Sequence, residues 1–155
     1  MFKHVVSSFF LLFILSPSAH AMPLFVGEDY SGNYVCKGNN ANVGDYEVLV
    51  TLKLNTITSH DIYGIYDFST ASNNQATYTG HLLAKGRQFS TTFKPLNDKN
   101  ETLNTGMGAF KKMRAKWSFQ QTYYEPDGSG GNFGNDQCTM KRLEKTMQQN
   151  SKKAQ

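Results

Sequence analysis

The clearest rhythm in the chain runs from Tyr46 to Leu54, where Tyr46, Val48, Val50, Leu52 and Leu54 alternate with Glu47, Leu49, Thr51 and Lys53. A pleated strand sends successive side chains to opposite faces, so this pattern predicts a strand with one apolar face, and its β-branched residues suit that geometry. The same period recurs from Met113 to Tyr124. Met113, Ala115, Trp117, Phe119 and Tyr123 fall on one side, Arg114, Lys116, Ser118, Gln120 and Thr122 on the other, and Gln121 interrupts the apolar row. Pro126-Asp127-Gly128 supplies turn chemistry, and Gly130 and Gly131 lengthen the reversal. A returning strand then carries Cys138 and Met140 on one face.

Five further stretches complete the pattern. Tyr30 to Cys36 places Tyr30, Gly32, Tyr34 and Cys36 together. His60 to Ser69 places Ile62, Tyr66 and Phe68 on one face and Tyr63 and Ile65 on the other, which predicts cover on both sides. Ala76 to Lys85 aligns Ala76, Tyr78, Gly80, Leu82 and Ala84; Arg87 to Lys94 turns Phe89, Thr91 and Phe93 inward. Thr105 to Lys111 is a short strand whose Gly106 and Gly108 permit bending or close approach. No helix is expected before Leu143.

Eight consecutive antiparallel strands predict an all-β fold, an up-and-down barrel with a β-sandwich as the alternative. The cysteines favour the barrel. Cys36 stands on the first strand and Cys138 on the last, and a closed meander sets those two strands side by side. A disulfide needs its Cα atoms within roughly 7 Å, so a bridge there would fasten the closing seam.

The two ends of the chain differ from this body. Lys3 and His4, the apolar run Val5 to Leu15, the break at Ser16-Pro17-Ser18 and the small-residue site Ala19-His20-Ala21 read as a cleaved signal peptide, residues 1–21. The run is too short to span a bilayer, so no transmembrane segment is expected. A secreted or periplasmic location follows, and with it one disulfide between the only two cysteines. Residues 22–142 form the single barrel domain, and 143–155 a short polar, basic tail in which Leu143 and Met147 are the main apolar residues. The basic excess behind the formal net charge of +4 lies in residues 141–155. Lys141, Arg142, Lys145, Lys152 and Lys153 stand there against Glu144, while residues 22 to 140 hold ten basic and eleven acidic side chains. That balance gives no footprint for nucleic acid.

The folded region from Tyr30 to Leu143 resembles a small calycin-type barrel of the avidin or lipocalin kind. Gly32-Asn33-Tyr34 opens it, Tyr78-Thr79-Gly80 repeats a Tyr/Thr-x-Gly pattern, and Lys116-Trp117 sits on a late long strand. Gly-Asn-Tyr stands where lipocalins carry Gly-x-Trp, and their long opening helix is missing here. The resemblance implies a barrel with an interior cavity and carries no ligand residue across.

The chemistry left to place is aromatic. Tyr34, Tyr46, Tyr66, Tyr78, Phe89, Phe93, Trp117, Phe119 and Tyr123 are predicted to point inward. Either they pack an eight-stranded interior, which is just wide enough to be filled, or they line a pocket whose hydroxyls orient a ligand. The ligand set on the second reading is Tyr34, Tyr66, Tyr78, Phe93, Trp117 and Tyr123. Asp127 to Asn132 lacks calcium-loop spacing and reads as a hairpin loop. Lys111, Lys112, Arg114 and Lys116 form a basic outer cluster, with Arg114 and Lys116 on the outer face of the Trp117 strand. His60 and His81 stand without a nucleophile elbow or ligand spacing, so no catalytic residue, metal or cofactor is expected. Asn100-Glu101-Thr102 is a glycosylation sequon. The expected function is binding and not catalysis. An exported barrel would hold a small apolar or aromatic ligand in its interior. The alternative is a secreted protein-binding module, such as an inhibitor of a hydrolase, that uses loops and the basic face.

Overall fold

A computed structural model describes residues 23–73, 75–96 and 103–141. It contains eight strands: β1 Gly32–Asn40, β2 Gly44–Leu54, β3 Tyr63–Ser72, β4 Gln75–Lys85, β5 Gln88–Pro95, β6 Asn104–Met113, β7 Lys116–Glu125 and β8 Asn132–Met140. Each pairs antiparallel with the next, and β1 pairs with β8, so the sheet closes as an up-and-down barrel. Closure removes both sheet edges and excludes the sandwich. The signal peptide, the basic tail and the Asn100 sequon lie outside the described residues. Among the described residues no helix is long and apolar enough to cross a membrane.

The seam is held as the cysteine positions predict. Cys36 and Cys138 are direct partners in the β1–β8 register, both fully buried, and joined by a disulfide. Because the side-chain period is two, that one pair fixes which residues of both strands face inward. Tyr34, Cys36, Gly38 and Asn40 follow on β1, and Asn132, Gly134, Asp136 and Cys138 on β8.

The two ends of the interior differ. At the end bearing the β4–β5 and β6–β7 turns, large side chains fill the barrel. Tyr30 comes in from the segment before β1, stacks on Phe110 at 3.8 Å and meets the edge of Trp117 at 4.8 Å. Its hydroxyl donates to Gly86 O at 2.8 Å. Phe119 meets Tyr34 at 5.0 Å and Phe89 at 5.5 Å. The buried hydroxyls here end on backbone: Tyr34 donates to Tyr30 O at 2.7 Å and Tyr66 to Glu28 O at 3.1 Å. Rings that pack while their polar tips find carbonyls satisfy the rule for buried polar groups.

Four local expectations are corrected. The third strand begins at Tyr63 and not at His60. Asp61 adopts φ 51° beside the Phe25 bridge, and Ile62 is left outside the strand, 41% exposed. A register shift between Thr70 and Ala71 makes Thr77 the extra residue of a bulge, which turns Ala76 out to solvent. Met113 belongs to the end of β6, 57% exposed, and Arg114-Ala115 form a two-residue turn with Arg114 at φ 58°. Arg114 therefore sits in the turn and shares no strand face with Lys116.

Candidate functional site

The opposite end of the barrel, beneath the β1–β2, β3–β4 and β7–β8 turns, is hollow. A cavity of about 240 Å³ opens there, with Tyr46, Val48, Phe68, Tyr78, Phe93 and Tyr123 as its apolar wall. Asn40, Thr70, Thr77, Gln121, Glu125 and Asp136 also line it, and Val43 stands at the rim. At roughly 30 Å³ per water this space would hold about eight solvent molecules. Wider depressions on the outer wall are shallow and open along the strands.

The strands build the wall by simple alternation. Phe93 on β5 packs against Phe68 at 5.5 Å, Tyr78 at 5.6 Å and Tyr123 at 5.7 Å, so four rings from four strands form one surface. The bulge at Thr77 brings Thr77 and Tyr78 to the cavity together, and the Thr70 and Thr77 hydroxyls bond each other.

A polar network crosses the interior beside this wall. Asp136, 6% exposed, accepts from the Tyr46 hydroxyl at 2.7 Å through Oδ1 and from Gln121 Nε2 at 2.7 Å through Oδ2. The Tyr46 and Tyr123 hydroxyls bond each other at 2.7 Å. Asn40 Nδ2 donates to Tyr123 Oη at 3.2 Å and to Glu125 Oε2 at 2.8 Å, and Asn40 Oδ1 accepts from Asn132. Two glycines make room for it. A Cβ at Gly38 would overlap the Tyr46 hydroxyl and Asp136 Oδ1, and one at Gly134 would overlap the Tyr123 ring.

Burial sets the electrostatics. It raises the Asp136 carboxyl above its ordinary 3.8, and the donors Gln121 and Tyr46 offset part of that rise. Burial also raises Tyr46, assisted by its bonds to Tyr123 and Asp136, and raises Tyr78, which feels Glu125. Both phenols stay protonated near neutral pH, and Tyr46 donates to Asp136. At the packed end burial pushes Tyr66 up to about 12.

The raised Asp136 has a sign that can be checked. Its folded form holds a proton to higher pH than the unfolded chain does, so its contribution is fully present below the unfolded value and is lost as pH rises through the folded one. In urea unfolding, the wild type should therefore gain stability relative to Asp136→Asn as pH falls from 7 towards 4. Comparing the two proteins cancels the titration of the surface carboxylates. A flat difference would contradict the buried carboxyl.

The six residues singled out from sequence divide between the two ends. Tyr78, Phe93 and Tyr123 line the cavity. Tyr34, Tyr66 and Trp117 lie in the packed end and do not reach it. Tyr46 was predicted inward but not assigned to the ligand set. Asp136, Gln121, Asn40 and Glu125 had no functional assignment. Extending the inward register from Cys138 back to Asp136, and from Cys36 forward to Asn40, would have found two of them.

The other candidates are outside the cavity. Asp127 Oδ1 accepts from the backbone of Ser129 at 2.7 Å and of Gly131 at 2.8 Å, which folds the glycine loop on itself and holds that carboxyl below its usual value. His81 pairs with Asp67 at 3.6 Å on the outer wall, and His60 lies beside Tyr63 outside the barrel. Lys112 Nζ stands 3.8 Å from Glu28 and 5.1 Å from the Trp117 ring centre. Comparison of the chain with protein-family models, curated proteins and solved structures returned no match, so the fold is defined here by its strands alone: an eight-stranded antiparallel closed barrel.

Proposed function

We propose that this chain is an exported binding protein, a barrel of the avidin or lipocalin kind that takes a small ligand into its open end. The observation that carries the reading is the division of the interior. One end is filled by rings whose hydroxyls are satisfied on backbone, and the other keeps a hollow of about 240 Å³ with a ring wall and buried hydrogen-bonding groups. A hollow with an apolar wall and a few fixed polar groups is what a small-molecule site needs. Tyr78, Phe93 and Tyr123 supply contact area, with Tyr46, Gln121 and Asn40 as orienting groups. Work outside the cytoplasm, secreted or periplasmic, is supported by the buried disulfide and by the leader-like residues 1–21. Filling the cavity with Val48→Trp should abolish small-molecule binding and leave the barrel folded; binding that survives the substitution would remove the site from the interior.

A second reading, a protein-binding module, draws on the packed end. Lys85, Arg87, Lys111, Lys112, Arg114 and Lys116 gather around its two turns, with Met113 exposed among them. This surface suits an acidic protein partner, engaged from the end opposite the cavity. Partner capture that is lost in Lys111→Glu/Arg114→Glu and kept in Val48→Trp would favour it.

A further inference from the structure

We infer that the ligand of the open end is a small organic cation, an amine or quaternary ammonium, with Asp136 as its buried counter-charge and Glu125 as a second carboxylate at the mouth. The inference rests on the cavity reading above and adds the sign of the ligand's charge.

Three observations carry it. Among the described residues, the cavity lining includes two carboxyl side chains and no lysine, arginine or histidine. An anion placed there would meet like charge beside the buried Asp136, where repulsion is screened less than at the outer surface. Secondly, among the described residues Asp136 makes no ion pair, although it is 6% exposed. Its neighbours are neutral donors, Tyr46 and Gln121, with one hydrogen bond to each oxygen. A carboxylate oxygen can accept about two, so each keeps capacity towards the cavity. Buried charge is ordinarily paired, and among the described residues this carboxylate faces a space with no cationic side chain beside it.

Thirdly, the wall is made of ring faces and edges. Tyr46, Tyr78, Phe93 and Tyr123 surround the hollow, and an aromatic face attracts a cation through its quadrupole, more strongly when water is excluded. A neutral apolar molecule would gain the ring contacts but leave both carboxyl groups without a counter-ion. A small cation uses the rings and the carboxylates together. The volume restricts it to a compact head, such as a trimethylammonium group or a short aromatic amine.

The test is a set of probes of one shape and three charges, titrated into the full chain with its disulfide intact. The (2-hydroxyethyl)trimethylammonium ion, the neutral 3,3-dimethylbutan-1-ol and the anionic 3,3-dimethylbutanoate share a branched head. Followed by calorimetry and by the NMR resonances of Tyr46, Tyr78 and Tyr123, the cation should bind about tenfold or more tighter than the neutral probe, and the anion weakest. Asp136→Asn should erase the cation's advantage over the neutral probe; Glu125→Gln should reduce it by less. Equal binding of cation and neutral probe within the cavity, or preference for the anion, overturns the charge assignment while the cavity reading stands. Failure of all three to touch the cavity resonances overturns both. The wild-type series decides the matter even if Asp136→Asn does not fold.

Discussion

Replacing Cys36 and Cys138 together by alanine should lower the free energy of unfolding by about 4–5 kcal/mol. The bridge spans 102 positions, and in the chain-entropy account a loop near that length restricts the unfolded chain by about that amount. The two residues are register partners on β1 and β8, and both face the interior. The loss is large against a typical domain stability of about 5–15 kcal/mol, so the variant should be folded but marginal. Urea titrations of the oxidised wild type and the double variant measure it. A shift below about 1 kcal/mol would mean that the β1–β8 ladder holds the seam without the bridge.

The second large effect belongs to Tyr30. It lies outside the strands, yet it is 2% exposed and closes the packed end. Tyr30→Ala removes a ring stacked on Phe110 and set edge-on to Trp117, and leaves Gly86 O without its donor. Large-to-small substitution of a buried ring costs about 3–5 kcal/mol, because the surroundings collapse only partly into the space. Tyr78→Ala makes the contrast. That ring is half-buried against an existing hollow, so its removal should cost less than about 2 kcal/mol and act mainly on binding. Equal losses for the two would contradict the division of the interior into a packed end and an open end.

Much of this fold could be read in the sequence because a barrel obeys a period of two. Tyr46 to Leu54, Arg87 to Lys94 and Trp117 to Tyr123 announced their inward rows through apolar residues, and the cysteines announced the closing pair. The reading failed where local chemistry overrode the period. Arg114 adopts a positive φ without glycine or asparagine to signal it, so Met113 read as the start of the Trp117 strand and not as the end of β6. The Thr77 bulge inverted Ala76 and could not be seen in composition. The site itself was half legible. Its rings belong to apolar rows, but its polar members sit where those rows lapse. Gln121 read as an interruption, although it keeps the inward phase and bonds Asp136. Asp136 lies in Asn-Phe-Gly-Asn-Asp-Gln, where the one large apolar residue, Phe133, faces outward and the inward residues are Asn132, Gly134 and Asp136, so apolarity marks the wrong face. The informative residues of this barrel are those that hold the inward register without being apolar.

On the proposed function, small molecules enter one end of the barrel and not the other. A residue-resolved NMR titration of the wild-type chain with a library of small molecules tests it most directly. Shifts are expected only at Tyr46, Val48, Phe68, Tyr78, Phe93, Gln121, Tyr123 and Asp136, with Tyr34, Tyr66, Phe110 and Trp117 silent. Shifts scattered over the outer wall, or centred on the packed end, would contradict it.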